Sequence, residues 1–190
     1  HTATFSVTPK AVELAEIRLP WQGAELSAEN IHISLSGEHS VMIPLRVKKM
    51  PLSTLLMLIA SDKANGTGDV SGTLPMTIAP SGAITLGTGR LAAEKDGMIS
   101  LSPDALPGDA PQMEMARTAL ANFHYTDLSL TTEIGKDGKS IIHLTLEGNN
   151  PEAFNGRPIK LQVNLSGDVL ETVQSTFQMM SNPKKWIQQE

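Results

Sequence analysis

Apolar residues in this chain recur at every second position over most of its length, and that period commits it to strands. Val41, Ile43, Leu45 and Val47 face one way while Met42, Pro44, Arg46 and Lys48 face the other, which describes a strand with one apolar face. Ile31, Ile33 and Leu35 alternate in the same way with His32 and Ser34. The pattern continues through Leu74, Met76 and Ile78, then Ile84 and Leu86, Leu91 and Ala93, Ile99 and Leu101, and Leu128 and Leu130. It closes with Ile142, Leu144 and Leu146, and with Ile159, Leu161, Val163 and Leu165. Short segments of this kind, divided by glycine-containing turns, predict an antiparallel meander of about a dozen strands. Asp96-Gly97 and Asp137-Gly138 read as hairpin turns, because both central positions of such a turn must accept positive φ; Pro80-Ser81-Gly82 is a looser equivalent.

Three stretches break the period. Leu52, Leu55, Leu56 and Ile59 stand at helical spacing behind Pro51, which predicts a short buried helix over 51–61. Met113, Ala116, Leu120 and Phe123 follow Pro111 and predict a second over 110–123. Val169, Val173, Phe177 and Met180 form a stripe that ends before Pro183 and predict a third over 168–181. The expected class is mainly β with a few short helices.

Composition removes several functions. With 15 Lys and Arg against 20 Asp and Glu, the chain has a formal charge of −5 and lacks the basic field that phosphate backbones require, so nucleic acid is not an expected partner. It has no cysteine, hence no thiolate nucleophile, thiolate metal site or disulfide. The longest apolar run, Leu55 to Ala60, is far shorter than the ~20 residues of a membrane-spanning helix. The opening residues lack a basic region followed by an apolar one, and the 190 residues read as a piece of something longer.

Catalytic signals are absent too. Gly66-Thr67-Gly68-Asp69-Val70-Ser71-Gly72 is rich enough in glycine to cradle phosphate, but a strand follows it where a helix N-terminus is needed, so turn and bulge chemistry is expected. The histidines at 1, 32, 39, 124 and 143 show no pair at zinc-protease spacing, and no Gly-x-Ser-x-Gly elbow occurs. Glu13, Glu16, Asp127 and Glu133 fall on outer faces as solvated carboxylates. No enzyme, metal or cofactor is expected.

What remains is a large amount of strand with one apolar face. Two such sheets can bury their faces against each other in a sandwich. Alternatively one curved sheet can leave an aliphatic trough that accepts acyl chains, each buried methylene contributing ~0.8 kcal/mol without a polar partner. Periodicity leaves both open.

A resemblance favours the trough. Leu52-Ser53-Thr54-Leu55-Leu56, the Gly66-x-Gly68-x-x-x-Gly72-Thr73-Leu74-Pro75 run, Gly89-Arg90-Leu91, Gly97-Met98-Ile99, Asn122-Phe123-His124-Tyr125, Gly148-Asn149-Asn150-Pro151 and Asn155-Gly156-Arg157-Pro158 occur in an order that resembles the C-terminal region of the YdbH family, within the AsmA and TamB-like group. The resemblance implies a periplasmic, bridge-like carrier of phospholipid between the membranes of a Gram-negative envelope, built as a curved, taco-shaped antiparallel β-sheet with an apolar inner face. It also implies an inner-membrane anchor elsewhere in the protein and a small outer-membrane lipoprotein partner joined by β-strand addition. Residues 1–190 are then a single C-terminal segment of a longer elongated protein, and a dozen strands ~4.8 Å apart extend about 60 Å. The expected wall for phospholipid acyl chains comprises Ile31, Ile33, Leu35, Val41, Ile43, Leu45, Val47, Leu74, Met76, Ile78, Ile84, Leu86, Leu91, Leu128, Leu130, Ile142, Leu144, Leu146, Leu161, Val163 and Leu165. The competing expectation is a closed binding or assembly module for outer-membrane biogenesis, acting through its edges and loops.

Overall fold

In a computed structural model, residues 2–36, 39–106, 109 and 111–165 are described. The strands are β1 (Thr2–Val7), β2 (Ala11–Trp21), β3 (Ala24–Ser34), β4 (Val41–Pro51), β5 (Ala64–Gly66), β6 (Asp69–Ile78), β7 (Ile84–Leu86), β8 (Gly89–Ala93), β9 (Gly97–Leu101), β10 (Phe123–Ile134), β11 (Ser140–Asn149) and β12 (Ile159–Leu165). Helix α1 (Leu52–Ala60) joins β4 to β5, and α2 (Pro111–Leu120) precedes β10. The expected third helix, 168–181, lies outside the described residues.

All twelve strands belong to one antiparallel sheet in the order β1-β2-β3-β4-β6-β8-β10-β11-β12, curved and not closed into a barrel. The sandwich is therefore not formed among the described residues: this sheet covers part of its own apolar face with elements from within it. The length also differs from expectation. Strands β5, β7 and β9 continue the lines of β6 and β8, so the path has nine positions, and eight spacings of ~4.8 Å extend about 38 Å.

Part of that shortening comes from one misread turn. Asp96-Gly97 is not a hairpin: β8 and β9 run on in the same direction, both paired with β10, while β9 also pairs with β5 and β8 with β6. Residues 94–96 are a bulge in one long strand, and Gly97 is not among the residues of positive φ. Asp137-Gly138 does turn a hairpin. Gly138 has φ 78° and donates its N–H to the Gly135 carbonyl at 3.0 Å, giving a type I turn closed by a left-handed glycine. Gln22 and Gly23, at φ 49° and 86°, form the two-residue turn between β2 and β3.

Further bulges keep the apolar face continuous. The register shifts between Val47 and Met50, with Lys49 at φ 53°, so both Val47 and Met50 are buried on one side. A shift between Tyr125 and Asp127 does the same for Tyr125 and Leu128. Helix α2 stops at Leu120, and Phe123, expected in that helix, opens β10 opposite Ile99. The core gathers Val70, Leu91, Ile99, Leu120, Phe123, Tyr125, Leu128 and Leu146, with Leu52, Leu55 and Leu56 of α1 packed onto it.

Candidate functional site

Register places one apolar side-chain position from each of eight strands in a single row across the sheet. Cα partners link Leu19, Leu26, Val47, Gly72, Leu91, Leu130, Leu144 and Val163 in succession. Because side chains alternate between faces, the whole row stands on one side. Its only residue without a side chain is Gly72, where a Cβ would collide with the Arg90 carbonyl of β8.

Exposure divides this face in two. Over β1 and β2 the apolar side chains are open to solvent or half-buried: Phe5 is 63% exposed, Val7 62% and Leu19 39%, while Val12, Leu14 and Ile17 are half-buried. Over β3 and β4, Ile31 and Val47 are buried, Ile33, Val41, Ile43 and Leu45 are half-buried, and Leu35 is 54% exposed. From β6 to β11 the face is packed. Leu91 is 0% exposed, and Met76, Leu128, Leu130, Ile142, Leu144 and Leu146 are also buried. Leu74, Ile78, Ile84 and Leu86 are half-buried, as are Leu161 and Val163 on β12; the Leu165 side chain lies outside the described residues. The expected wall thus stands on one face of one sheet, except that Ile84 and Leu86 belong to a strand that rises over it.

Three devices cover the packed half. Gly66 on β5 pairs with buried Ile99, so a Cβ there would point to the apolar side, and it would meet Leu52 Cδ2 at 2.8 Å and Leu56 Cδ1 at 3.0 Å. Helix α1 therefore lies on that side, seated against a glycine. Tyr125 is the second device. Its hydroxyl donates to the Thr67 carbonyl at 2.7 Å and sits where Cβ atoms on Gly68 and Gly97 would be. Burial raises the phenol's pKa, with Asp69 and Asp96 adding to the effect. The glycines of the Gly66-x-Gly68 run thus seat side chains, as turn and bulge chemistry requires, with Gly68 at φ 97°.

The third device is β7. It pairs with β6 through Met76–Leu86 and Ile78–Ile84, but among the described residues no strand is hydrogen-bonded to its other edge. Ser140 Oγ donates to the Leu86 carbonyl at 3.0 Å and accepts from the Leu86 N–H at 2.9 Å, and Thr132 Oγ1 donates to the Gly87 carbonyl at 2.6 Å. Ser140 stands on β11, one position beyond β10, in phase with buried Ile142 and Leu144. Leu86 therefore lies above the apolar face and not in the plane of the sheet.

The opposite face is polar and cross-linked. Glu13 meets His32 at 2.7 Å, Glu29 meets Arg46 at 3.2 Å and Glu147 meets Lys160 at 2.6 Å, each pair joining neighbouring strands. His143 spans three strands, with Nδ1 2.7 Å from Asn164 Oδ1 and Nε2 3.0 Å from Glu133 Oε1. These contacts, Asn164 first, raise its pKa.

Among the described residues no group of three or more His, Cys, Asp or Glu could hold a metal ion. None of their helices is long and apolar enough to cross a membrane. A hollow of about 700 Å³ is lined by Asp104, Glu114 and Arg117 among others, and Arg117 is already bonded to the Leu106 carbonyl and Glu114.

Sequence reasoning missed β1 and β2, although Val12, Leu14 and then Ile17, Leu19 and Trp21 each alternate. The phase flips at Ala15, where the β1–β2 register shifts, and that hides the strand as one period. Searches of curated proteins and of solved structures found no match. The model of the YdbH-like family, described as intermembrane phospholipid transport protein YdbH, matches residues 2–190. An open sheet with one apolar and one wettable face, matched to that model from one end to the other, places the chain in the YdbH-like family of intermembrane phospholipid transport proteins.

Proposed function

We propose that this chain is a non-enzymatic, C-terminal segment of a periplasmic conduit, anchored at the inner membrane by another part of the protein. In it, phospholipid acyl chains lie on the apolar face of the sheet while headgroups stay in water. The observation that carries this reading is the split exposure of one continuous apolar face. An apolar surface left partly open over β1–β4 gains ~25 cal/mol for each Å² that a chain covers and needs no specific polar contact. The nominated wall residues act as a nonspecific lining. Among the described residues β12 pairs with β11 alone, and an outer-membrane lipoprotein adds its strand there. Val163→Pro would remove that pairing while leaving β1–β11 folded.

The test uses two neighbours in β4. Leu45 is half-buried on the apolar face, and Arg46 stands on the polar face 3.2 Å from Glu29. Photoreactive probes at 45 and 46 should capture lipid at 45 only. Leu45→Glu should melt only slightly below wild type yet capture no lipid, because a carboxylate at an open surface keeps its water. Arg46→Glu should melt within about 1 kcal/mol of wild type. Unfolding of Leu45→Glu, or equal capture at both positions, refutes the trough and favours the closed assembly module, to which the dry packing from β6 to β11 is suited.

A further inference from the structure

Thr132 and Ser140 are anomalous. On a face otherwise built from aliphatic and aromatic side chains, both are buried to at least nine-tenths of their surface, in phase with Leu130 and Ile142. Burying a hydroxyl costs free energy unless it is bonded, and here both hydroxyls bond to the backbone of β7 at Leu86 and Gly87. A continuous strand would normally satisfy its second edge with a neighbour's backbone. This three-residue strand uses two side chains in its place, and glycines flank it: Gly82 at φ 83°, Gly87 and Gly89.

We propose that β7 is a strap that closes the trough over β10 and β11, held by Thr132 and Ser140 as latches, and that acyl chains displace it to reach Leu130, Ile142 and Leu144. This rests on the conduit reading and adds a regulated end to it. On the edge toward β10 and β11 three hydrogen bonds to side chains hold the strap and none belongs to the ladder, while its other edge stays paired with β6, so β7 can swing out on β6 with β8, β10 and β11 still paired. The apolar surface uncovered on β10 and β11 is what an acyl chain would cover. Opening in water alone would expose it, so lipid drives the exchange.

The experiment uses vesicles of phosphatidylethanolamine and phosphatidylglycerol containing a phosphatidylethanolamine with a diazirine in its acyl chain, followed by mapping of cross-linked peptides. Wild type should label β3 and β4 strongly and β11 weakly. Thr132→Val with Ser140→Ala should raise labelling of β11 several-fold and leave β3 and β4 unchanged. Equal labelling of β11 in both proteins overturns the strap alone. No labelling of the apolar face in either protein overturns the conduit and the strap with it. Should the double variant fail to fold, hydrogen exchange in wild type decides: the Leu86 amide should exchange faster with vesicles than without, and an unchanged rate overturns the strap.

Discussion

Replacing Gly72 with alanine tests whether the row across the sheet is as tightly joined as its register implies. A Cβ at 72 would collide with the Arg90 carbonyl oxygen and lie 3.0 Å from the Arg90 carbonyl carbon and 3.1 Å from Leu91 Cα, all of them backbone, at φ 155°. No side-chain rotation relieves that, so β6 and β8 must move apart. They share four paired positions, Val70–Ala93 to Thr73–Arg90, and losing two ladder hydrogen bonds costs about 1–3 kcal/mol net. Backbone strain for a residue with a Cβ adds about 1–2 kcal/mol. Leu91, fully buried beside the gap, loses part of the ~2–5 kcal/mol that its packing is worth. The expected total is about 3–6 kcal/mol, a large share of the ~5–15 kcal/mol that keeps such a domain folded. Gly138→Ala is the control. It carries a φ of 78° with nothing within 4 Å of the new Cβ, so only the strain of about 1 kcal/mol applies. In urea denaturation followed by circular dichroism, with a slope near 2 kcal/mol per molar, Gly72→Ala should lower the midpoint by about 2 M and Gly138→Ala by about 0.5 M. Equal shifts for the two would refute the close approach of β6 and β8.

Tyr125→Phe should destabilise by about 1–2 kcal/mol, since the Thr67 carbonyl loses its 2.7 Å donor, and the urea midpoint would report it. The raised pKa of His143 means the folded state binds its proton more tightly than the unfolded one. Its contribution is therefore full below the ordinary histidine value and lost as pH rises through the folded value. The gap in melting temperature between wild type and His143→Gln should be wider at pH 5.5 than at pH 8.5, and equal gaps would exclude the three-strand link. Phosphate or nucleotide should leave the melting temperature of wild type unchanged, because Gly66, Gly68 and Gly97 seat Leu52, Leu56 and Tyr125 and leave no cradle.

The alternation of β4, β6, β11 and β12 was readable because each is apolar on one face only, and Met42, at 68% exposed, points away from Val41 and Ile43 as its position requires. Features that depend on a second strand were not readable. Asp96-Gly97 tolerates a turn, but β9 finds partners in both β5 and β10, and that pairing holds the chain straight. The division of the wall into open and packed halves depends on where α1 and β7 come to rest, which no local period encodes. A signal of the bonds to β7 was nevertheless present: Thr132 and Ser140 fall in phase with leucines and isoleucine, and a hydroxyl in an apolar phase asks for a partner.

The half-open face also has a width that can be set against an acyl chain. Strands β1 to β4 occupy three inter-strand spacings, about 14 Å, and a single acyl chain reaches about 15 Å, half the ~30 Å hydrocarbon thickness of a bilayer. In the conduit reading proposed above, an acyl chain laid across these strands would span the stretch from β1 to β4 once, so the partly open part of the face is about one chain length wide.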